Sequence, residues 1–232
     1  MRLDKYLAEM GVGTRQEVKK QIRQGKVTVN GTVVKAADTK IDETCDEVTI
    51  GGRNISYVSY EYYMLNKPGG VVSATEDRRD TTVIDLIKDK KRKDLFPVGR
   101  LDKDTEGLLL ITNDGDLAHR LLAPKKHVDK VYYAKIDGMV TEEDVKRFAE
   151  GIDIGAEEEE MTRPAKLDIM KSAEESEIRL TIHEGKFHQV KRMFLAVGKE
   201  VTYLKRERMG TLCLDENLKP GEYRLLIENV RK

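Results

Sequence analysis

The order of strand-like and helical segments after residue 60 constrains the fold of this chain most strongly. Seven apolar runs have strand character, and they are joined in some places by amphipathic helices and in others by short turns. Sheets with both kinds of connection are mixed and largely antiparallel, because short turns reverse the chain direction. We therefore predict an α+β domain in which helices flank such a sheet. The predicted strands are 62–67, 95–99, 107–112, 131–136, 177–182, 201–206 and 223–227, and the predicted helices are 82–89, 116–123, 141–152 and 187–198.

Residues 1–58 are predicted to fold as a small unit ahead of a larger domain at 59–232. Apolar residues at helical spacing predict a first helix, and a capping box that begins at Thr14 predicts a second. An Asn-Gly pair at 30–31, between two alternating runs, predicts a β-hairpin. This unit has two helices, a few short strands and little core of its own. Residues 51–61 are interpreted as a flexible join.

The net charge is zero, since 42 basic residues balance 42 acidic ones, but the distribution is uneven. Residues 1–35 carry eight basic side chains against three acidic, and residues 185–208 carry seven against two. Residues 141–160 carry nine acidic side chains against two basic. Such patches favour local binding of a polyanion such as RNA, although charged clusters are often only solvated surface. The candidate phosphate contacts on the second helix are Arg15, Lys19, Lys20 and Arg23.

The sequence disfavours two classes of protein, those that span a membrane and those that are stabilised by disulfides. No stretch approaches the roughly 20 apolar residues that cross a bilayer, and the first ten residues contain two acidic ones and no continuous apolar run. The second disfavoured class is the disulfide-stabilised one. Cys45 and Cys213 lack a paired spacing, so we expect two buried, unpaired thiols in a reducing compartment. The expected location is the cytoplasm, without membrane association.

Three polar, glycine-containing segments lie at the ends of predicted strands, where sites tend to occur. They are NKPGG at 66–70, GRLDKDTEG at 99–107 and EGKFHQVKRM at 184–193. The acidic residues of the second segment resemble the start of a calcium loop, but Asn113 stands where a bidentate Glu is needed. His183 and His188 have no third ligand nearby in the sequence. The sequence contains neither of the glycine-rich motifs that bind nucleotide phosphates, GxxxxGK[ST] and GxGxxG. From these observations together we predict no metal and no cofactor.

The order of these segments, with DKVY (129–132) between the second and the third, resembles that of the RsuA-type pseudouridine synthases. These enzymes modify bacterial ribosomal RNA, and they carry a small RNA-binding domain similar to one in a ribosomal small-subunit protein. GRLD followed by TEGLLL is highly specific for the superfamily, and HQVKRMF supports it independently. The resemblance covers essentially the whole chain. It implies an isomerase that converts uridine to pseudouridine without a cofactor.

The resemblance assigns the catalytic carboxylate to Asp102, which acts either as a nucleophile on the sugar carbon or as a base at the neighbouring carbon. Burial disfavours a charged carboxylate, and Lys191 stands where the family places the cation that offsets this cost. Tyr132 matches the active-site tyrosine, whose ring stacks on the base and whose hydroxyl suits the late removal of a proton from carbon 5. Asp104 and Glu106 are left with solvent or structural roles.

Further residues are assigned to RNA contacts. The target base must leave its stack, and Arg100 fits the side chain that fills the vacated space, with a structural salt bridge as the alternative. Lys67 belongs to the motif that packs beneath the site and is a candidate for phosphate contact. Arg192 is the alternative cation beside the carboxylate, but an RNA contact or a structural contact is favoured. His188 and Gln189 are expected to position the helix that follows them.

The C-terminal stretch at 204–226 resembles the small-subunit branch of the family. The expected substrate is therefore a uridine in 16S ribosomal RNA, either free or within an assembling small subunit. The alternatives are a synthase acting on 23S ribosomal RNA and a non-catalytic RNA-binding or ribosome-assembly factor. Asp102, Tyr132 and Lys191 together favour the enzyme, because a binding protein has no need of all three. A monomer is expected.

Overall fold

The computed structural model describes residues 1–123, 127–155 and 160–226. Within these residues the chain divides into two compact units. The first unit comprises Met1–Glu61 together with Lys88–Leu95, and the second takes the other described residues from Tyr62 onward.

Two helices and four short strands build the first unit. They are α1 (Leu3–Glu9), α2 (Arg15–Arg23), β1 (Val27–Val29), β2 (Thr32–Val33), β3 (Val48–Ile50) and β4 (Arg53–Ile55). The strand order is β2-β1-β3-β4, and apolar residues of both helices share one buried cluster with the sheet. The predicted capping box is confirmed, since the Thr14 side chain accepts a hydrogen bond from the Glu17 backbone. The predicted hairpin is also confirmed, with Asn30 and Gly31 at the positive φ values that such a turn requires.

The segment 51–61, interpreted from the sequence as a flexible join, belongs to the first unit. It contains β4, which pairs with β3, and Tyr57, whose ring stacks on an aromatic residue in the core of the first unit. Arg92 belongs to the same unit and donates hydrogen bonds to Glu9 and to the Tyr57 hydroxyl. Ile55 and Glu61 are buried and Tyr57 is half-buried, so part of the segment packs within the first unit. A domain division between residues 58 and 59 stays a prediction.

In the part of the second unit that the structure describes, nine strands form one mixed sheet. The strands are β5 (Tyr62–Lys67), β6 (Phe96–Pro97), β7 (Glu106–Thr112), β8 (Lys130–Asp137), β9 (Lys166–Lys171), β10 (Glu175–Ile182), β11 (Glu200–Met209), β12 (Leu212–Cys213) and β13 (Tyr223–Leu225). The main strand order is β13-β5-β7-β11-β8-β10-β9, with β6 beside β7 and β12 beside β11. The β7–β11 pair is parallel and the other pairs are antiparallel. The predicted α+β fold with a mixed, mainly antiparallel sheet is therefore confirmed.

Within the described residues four helices accompany this sheet, namely α3 (Val83–Leu86), α4 (Gly115–Leu122), α5 (Glu142–Glu150) and α6 (Gln189–Ala196). The predicted helix 82–89 is shorter than expected, because the residues that follow it join the first unit. Strand β9 escaped prediction because it is mostly exposed or half-buried and lacks an apolar run. Residues 156–159 of the acidic segment and position 227 of the last predicted strand lie outside the described residues.

The cysteine prediction is wrong in one respect. Cys45 and Cys213 are both free, as expected, but both are exposed rather than buried. Cys45 lies in a turn and Cys213 ends the two-residue strand β12, so neither position is covered by a packed element. Across the described ranges, no helix combines the length and the hydropathy needed to cross a bilayer.

The centre of the sheet supports two segments that carry candidate residues. Strand β7 is buried along residues 107–112, and the loop that contains Asp102 leads directly into it. Helix α6 packs on β11, and its Phe194 contacts Phe148 of α5 with 4.9 Å between ring centroids. Both segments are therefore attached to well-packed elements, which favours precise placement of their side chains.

Candidate active site

A cavity of about 660 Å³ opens on one face of the second unit. One wall is the loop between β6 and β7, another is the turn that leads into α6, and β8, β10 and β11 provide the floor. Cavities of this size are typical of sites for small molecules or single nucleotides. The polar side chains that matter most among those lining it are Arg100, Asp102, Lys130, Tyr132, His188, Lys191 and Arg206.

Asp102 lies on a loop whose backbone is fixed by several hydrogen bonds. The hydroxyl of Ser73 donates to the carbonyl of Leu101 (2.8 Å) and accepts from its N–H (3.0 Å). The N–H of Thr105 donates to the carbonyl of Asp102 (3.1 Å) and closes a turn. The Asp102 side chain is 28% exposed. It is therefore accessible from the cavity, yet much of it is shielded from bulk water, as suits a carboxylate that reacts with a bound molecule.

Lys67 lies beneath this loop, and the prediction that it contacts RNA phosphate is wrong. The residue is fully buried. Its ammonium group donates to three backbone carbonyls, those of Pro68 (3.0 Å), Lys103 (3.1 Å) and Thr105 (2.8 Å). Burial lowers the pKa of Lys67 to about 8, against the opposing pull of nearby carboxylates. Lys67 thus supports the backbone on either side of the Asp102 turn, which agrees with the expected packing role of its motif.

Lys191 extends from α6 to the Asp102 loop. Its Nζ lies 2.7 Å from each carboxylate oxygen of Asp104 and 3.8 Å from Oδ2 of Asp102. The predicted pairing with Asp102 is therefore an ion pair at long range, whereas the hydrogen bonds go to Asp104. This hydrogen bond is the main reason why the pKa of Asp104 lies below its ordinary value. Asp104, for which the sequence indicated only a solvent or structural role, anchors the cation beside Asp102.

His188 is closer to the chemistry than the sequence indicated. Its Nε2 lies 3.5 Å from Oδ1 of Asp102, whereas Lys191 is nearest to Oδ2. His188 directly precedes α6 and has a positive φ of 47°. The neighbouring Phe187 ring stacks on the imidazole with 3.8 Å between centroids and is strongly exposed at the cavity. Gln189 has the expected positioning role, since it accepts from the Lys186 N–H and donates to Glu184. The signal for His188 was its place directly before the motif helix.

Tyr132 lies on the floor of the cavity, on β8. Its side chain is mostly buried, and its hydroxyl makes no hydrogen bond to the part of the chain that the structure describes. Its strand partner on β11 is Arg206, which also lines the cavity. Sequence reasoning did not single out Arg206, because one arginine within a basic strand has no local pattern that marks it as buried.

The two remaining arginines have different surroundings. Arg100 is exposed at the cavity, and no ion pair joins it to the described residues, so the salt-bridge alternative finds no support there. Arg192, by contrast, is not among the residues that line the cavity. Its guanidinium donates to the carbonyls of Ile154 and Phe187 and to the carboxylate of Glu160. These contacts support the structural alternative for Arg192, and an RNA contact at this residue stays a prediction.

The basic residues of α2 belong to the first unit and are not part of this cavity. Val18 and Ile22 bury one face of the helix, whereas Arg15, Lys20 and Arg23 are exposed. Lys19 is half-buried and lies 3.9 Å from Asp4. The exposed face therefore presents several cations to solvent around a shallow depression, an arrangement that suits phosphate contacts.

Comparison with known proteins adds to this geometry. The RNA pseudouridylate synthase family matches residues 61–196, and the S4 domain matches residues 1–48. An uncharacterized RNA pseudouridine synthase of Bacillus subtilis is 50% identical over 98% of this chain and 95% of its own length. The ribosomal small subunit pseudouridine synthase A of Vibrio vulnificus is 44% identical over 98% of this chain and 97% of its own length.

Solved structures agree with these matches. A crystal structure of a pseudouridylate synthase covers 97% of this chain and 96% of its own, with a TM-score of 0.67 and 40% sequence identity. Family membership, the confirmed α+β architecture and the carboxylate in the cavity all concern the same segment of the chain. This chain therefore belongs to the RNA pseudouridine synthase family, and it is an RNA-modifying isomerase with an S4 domain at its N-terminal side.

Proposed function

We propose that this enzyme converts a uridine of 16S ribosomal RNA to pseudouridine in the cavity that contains Asp102. The observation that carries the proposal is the juxtaposition of Asp102, Lys191 and Tyr132 in one cavity of the second unit. The choice of 16S RNA is supported by full-length similarity, at about 44% identity, to enzymes named for the small ribosomal subunit. It is also supported by the C-terminal stretch at 204–226.

The proposed reaction breaks the bond between C1′ of the ribose and N1 of uracil and joins C1′ to C5. Asp102 either attacks C1′ or removes a proton from C2′, and the structure is compatible with both routes. Lys191 stabilises the ionised carboxylate at 3.8 Å, and Asp104 holds the ammonium group in place. Tyr132 stacks on the uracil ring, and at the end its hydroxyl relays the C5 proton to solvent while N1 gains a proton. Arg100, exposed at the rim, occupies the space that the flipped nucleotide leaves.

Mapping of pseudouridines in ribosomal RNA tests the proposed substrate. RNA from a strain that lacks this gene is compared with wild type by chemical mapping of both 16S and 23S RNA. Loss of one position in 16S RNA, restored by the wild-type gene and not by Asp102→Asn, is the expected result. Loss of a position in 23S RNA would replace the proposed substrate with the alternative one. If every ribosomal position were retained, ribosomal RNA would not be the substrate.

The S4 domain supplies a prediction about RNA affinity. Lys20→Gln combined with Arg23→Gln removes two exposed cations of α2. Each lost phosphate contact reduces the salt dependence, so the slope of log K against log salt is expected to become shallower by about 1.5. Filter binding of a 16S transcript between low and moderate salt measures this slope. Lys146→Gln is the control, because Lys146 is exposed on α5 among acidic residues. Equal slopes in all three proteins would exclude α2 from the RNA interface.

The Tyr132 side chain gives a prediction that separates its ring from its hydroxyl. Tyr132→Phe keeps the ring on the cavity floor, so RNA affinity is expected to stay within about threefold, while turnover falls about 100-fold through loss of the proton acceptor. Release of the C5 proton is then expected to limit the rate. RNA that carries deuterium at C5 is expected to react more slowly in this variant and not in wild type. Tyr132→Ala also removes stacking and is expected to lose about tenfold more.

The outcome for the phenylalanine variant decides the role of the hydroxyl. Full activity without an isotope effect would show that another group takes the C5 proton. Tritium released from RNA labelled at C5 of uridine provides the rate measurement for all variants.

A further inference from the structure

The floor of the cavity contains two cations to which the mechanism above gives no role. Arg206 on β11 is 2% exposed, yet it lines the cavity. Its Nε donates to the carbonyl of Leu108 at 2.9 Å. Its Nη2 is buried and has no hydrogen-bond partner, and no carboxylate pairs with Arg206 within the described residues. A buried guanidinium with most of its donors unused is costly, so a further acceptor is expected when the cavity is filled.

Lys130 is the second cation. It lies on β8 two residues from Tyr132, so both side chains project to the same face of the sheet, and both line the cavity. Its Nζ has one long contact, 3.5 Å from the carbonyl of Val128. Burial and the neighbouring Arg206 lower the pKa of Lys130, while Glu184 and Asp129 act in the opposite direction. Positive charge on this floor is therefore incompletely balanced.

The positions of Arg206 and Lys130 indicate contact with the base of the target nucleotide rather than with its sugar. Arg206 is the direct strand partner of Tyr132, the residue proposed to stack on uracil. Asp102, which acts on the sugar, lines the same cavity from a different element, the loop before β7. A pyrimidine ring held against Tyr132 would present its carbonyl oxygens to side chains of β8 and β11. A donor-only guanidinium is complementary to such carbonyl oxygens.

The chemistry of the reaction creates negative charge on that ring. When the bond between C1′ and N1 breaks, its electron pair stays on N1 and spreads over the oxygens O2 and O4. At the same stage C1′ either becomes bonded to Asp102 or forms a double bond to C2′, whose proton goes to Asp102. The uracil anion then turns, and its C5 bonds to C1′ as the bond between C1′ and Asp102 breaks or as Asp102 returns the proton to C2′. Loss of the proton from C5 and gain of a proton at N1 then give the neutral pseudouridine. Fixed cations are most effective where charge of this kind develops.

We propose that Arg206, assisted by Lys130, donates hydrogen bonds to a carbonyl oxygen of the target uracil and stabilises the uracil anion after the glycosidic bond breaks. The inference rests on the assignment of the Asp102 cavity as the reacting site. Arg206 also retains a structural contact through Leu108, so its substitution requires a measurement that a structural role alone would not change.

The dependence of the rate on the acidity of the leaving base provides that measurement. Arg206→Met is compared with wild type on two ligated RNAs, one with uridine and one with 5-fluorouridine at the target position. Because 5-fluorouridine has no C5 proton to release, the rate on both RNAs is measured as disappearance of the target nucleoside in nuclease digests. Fluorine makes the base more acidic, so its anion needs less help to leave. On uridine the variant is expected to lose about 100-fold in single-turnover rate with little change in RNA affinity. On 5-fluorouridine the loss is expected to shrink to about tenfold, and Arg206→Lys should recover part of the uridine rate.

The controls separate this inference from the proposed substrate. Arg179→Met removes a cation from β10 that pairs with Glu207 and does not line the cavity, and it is expected to retain full activity. The RNA used is the ribosomal transcript that the wild-type enzyme modifies. If 16S RNA is not the substrate, another transcript takes its place, and the test of Arg206 stays valid. An equal loss on both bases, or a loss explained by a lower melting temperature, would overturn the role proposed for Arg206.

Discussion

Asp102→Asn is expected to lower the single-turnover rate of pseudouridine formation by at least about 1000-fold. Asparagine keeps the shape of the side chain, but it can neither attack C1′ nor remove a proton from C2′. RNA affinity is expected to stay within about threefold, because Asp104 continues to hold Lys191 by two contacts of 2.7 Å. Melting temperature should also change little, since the lost ion pair spans 3.8 Å at a partly exposed position. Tritium release from labelled RNA measures the rate.

Asp104→Asn is the matched control for this prediction. Asp104 lies two residues away in the same loop and contacts the same lysine, but its side chain is 73% exposed. Its substitution is expected to cost less than about tenfold, because only the anchoring of Lys191 is weakened. A loss as large as that of Asp102→Asn would mean that the catalytic carboxylate has been assigned to the wrong member of the acidic cluster.

Gly107→Ala is expected to destabilise the enzyme by about 3 to 5 kcal/mol and to lower its melting temperature by roughly 10 °C. Gly107 begins the buried part of β7 with φ at +98°, and a Cβ there would lie 2.3 Å from the carbonyl oxygen of Arg206 and 2.8 Å from its nitrogen. Both atoms belong to the backbone of the parallel partner strand, so no side-chain rotation relieves the contact. Differential scanning calorimetry measures the change.

Gly115→Ala is the control for this substitution. Gly115 opens α4, and a Cβ at that position meets no atom within 4 Å. Because alanine has the higher helix propensity, this variant is expected to be as stable as wild type or up to about 1 kcal/mol more stable. If Gly107→Ala melted at the wild-type temperature, the close approach of β7 and β11 would not contribute to stability as argued here.

Much of the fold was predictable because its signals are local. The Thr14 capping box, the Asn30-Gly31 turn and most strands of the second unit follow from hydrogen-bonding groups and apolar periods within a few residues of one another. The exposed edge strand β9 and the two-residue strand β12 lack such a period, and they were not anticipated. Residues 88–95 belong to the first unit because they pack against residues far away in sequence. No local pattern predicts such packing.

The candidate site, like the fold, was predictable only in part. The sequence by itself determined the family, the identity of Asp102, Tyr132 and Lys191 as candidates, and the α+β architecture, because residue types and motif order carry that information. Only the tertiary structure decided which partners the charged side chains have. Lys67 and Arg192 donate hydrogen bonds to protein carbonyls and, for Arg192, to a carboxylate. Lys191 is held by Asp104, and Arg206 is buried at the cavity floor with unused donors. The physical reason is that the partner of a charged side chain is set by segments folded beside it from distant parts of the chain, and short-range pattern does not specify them.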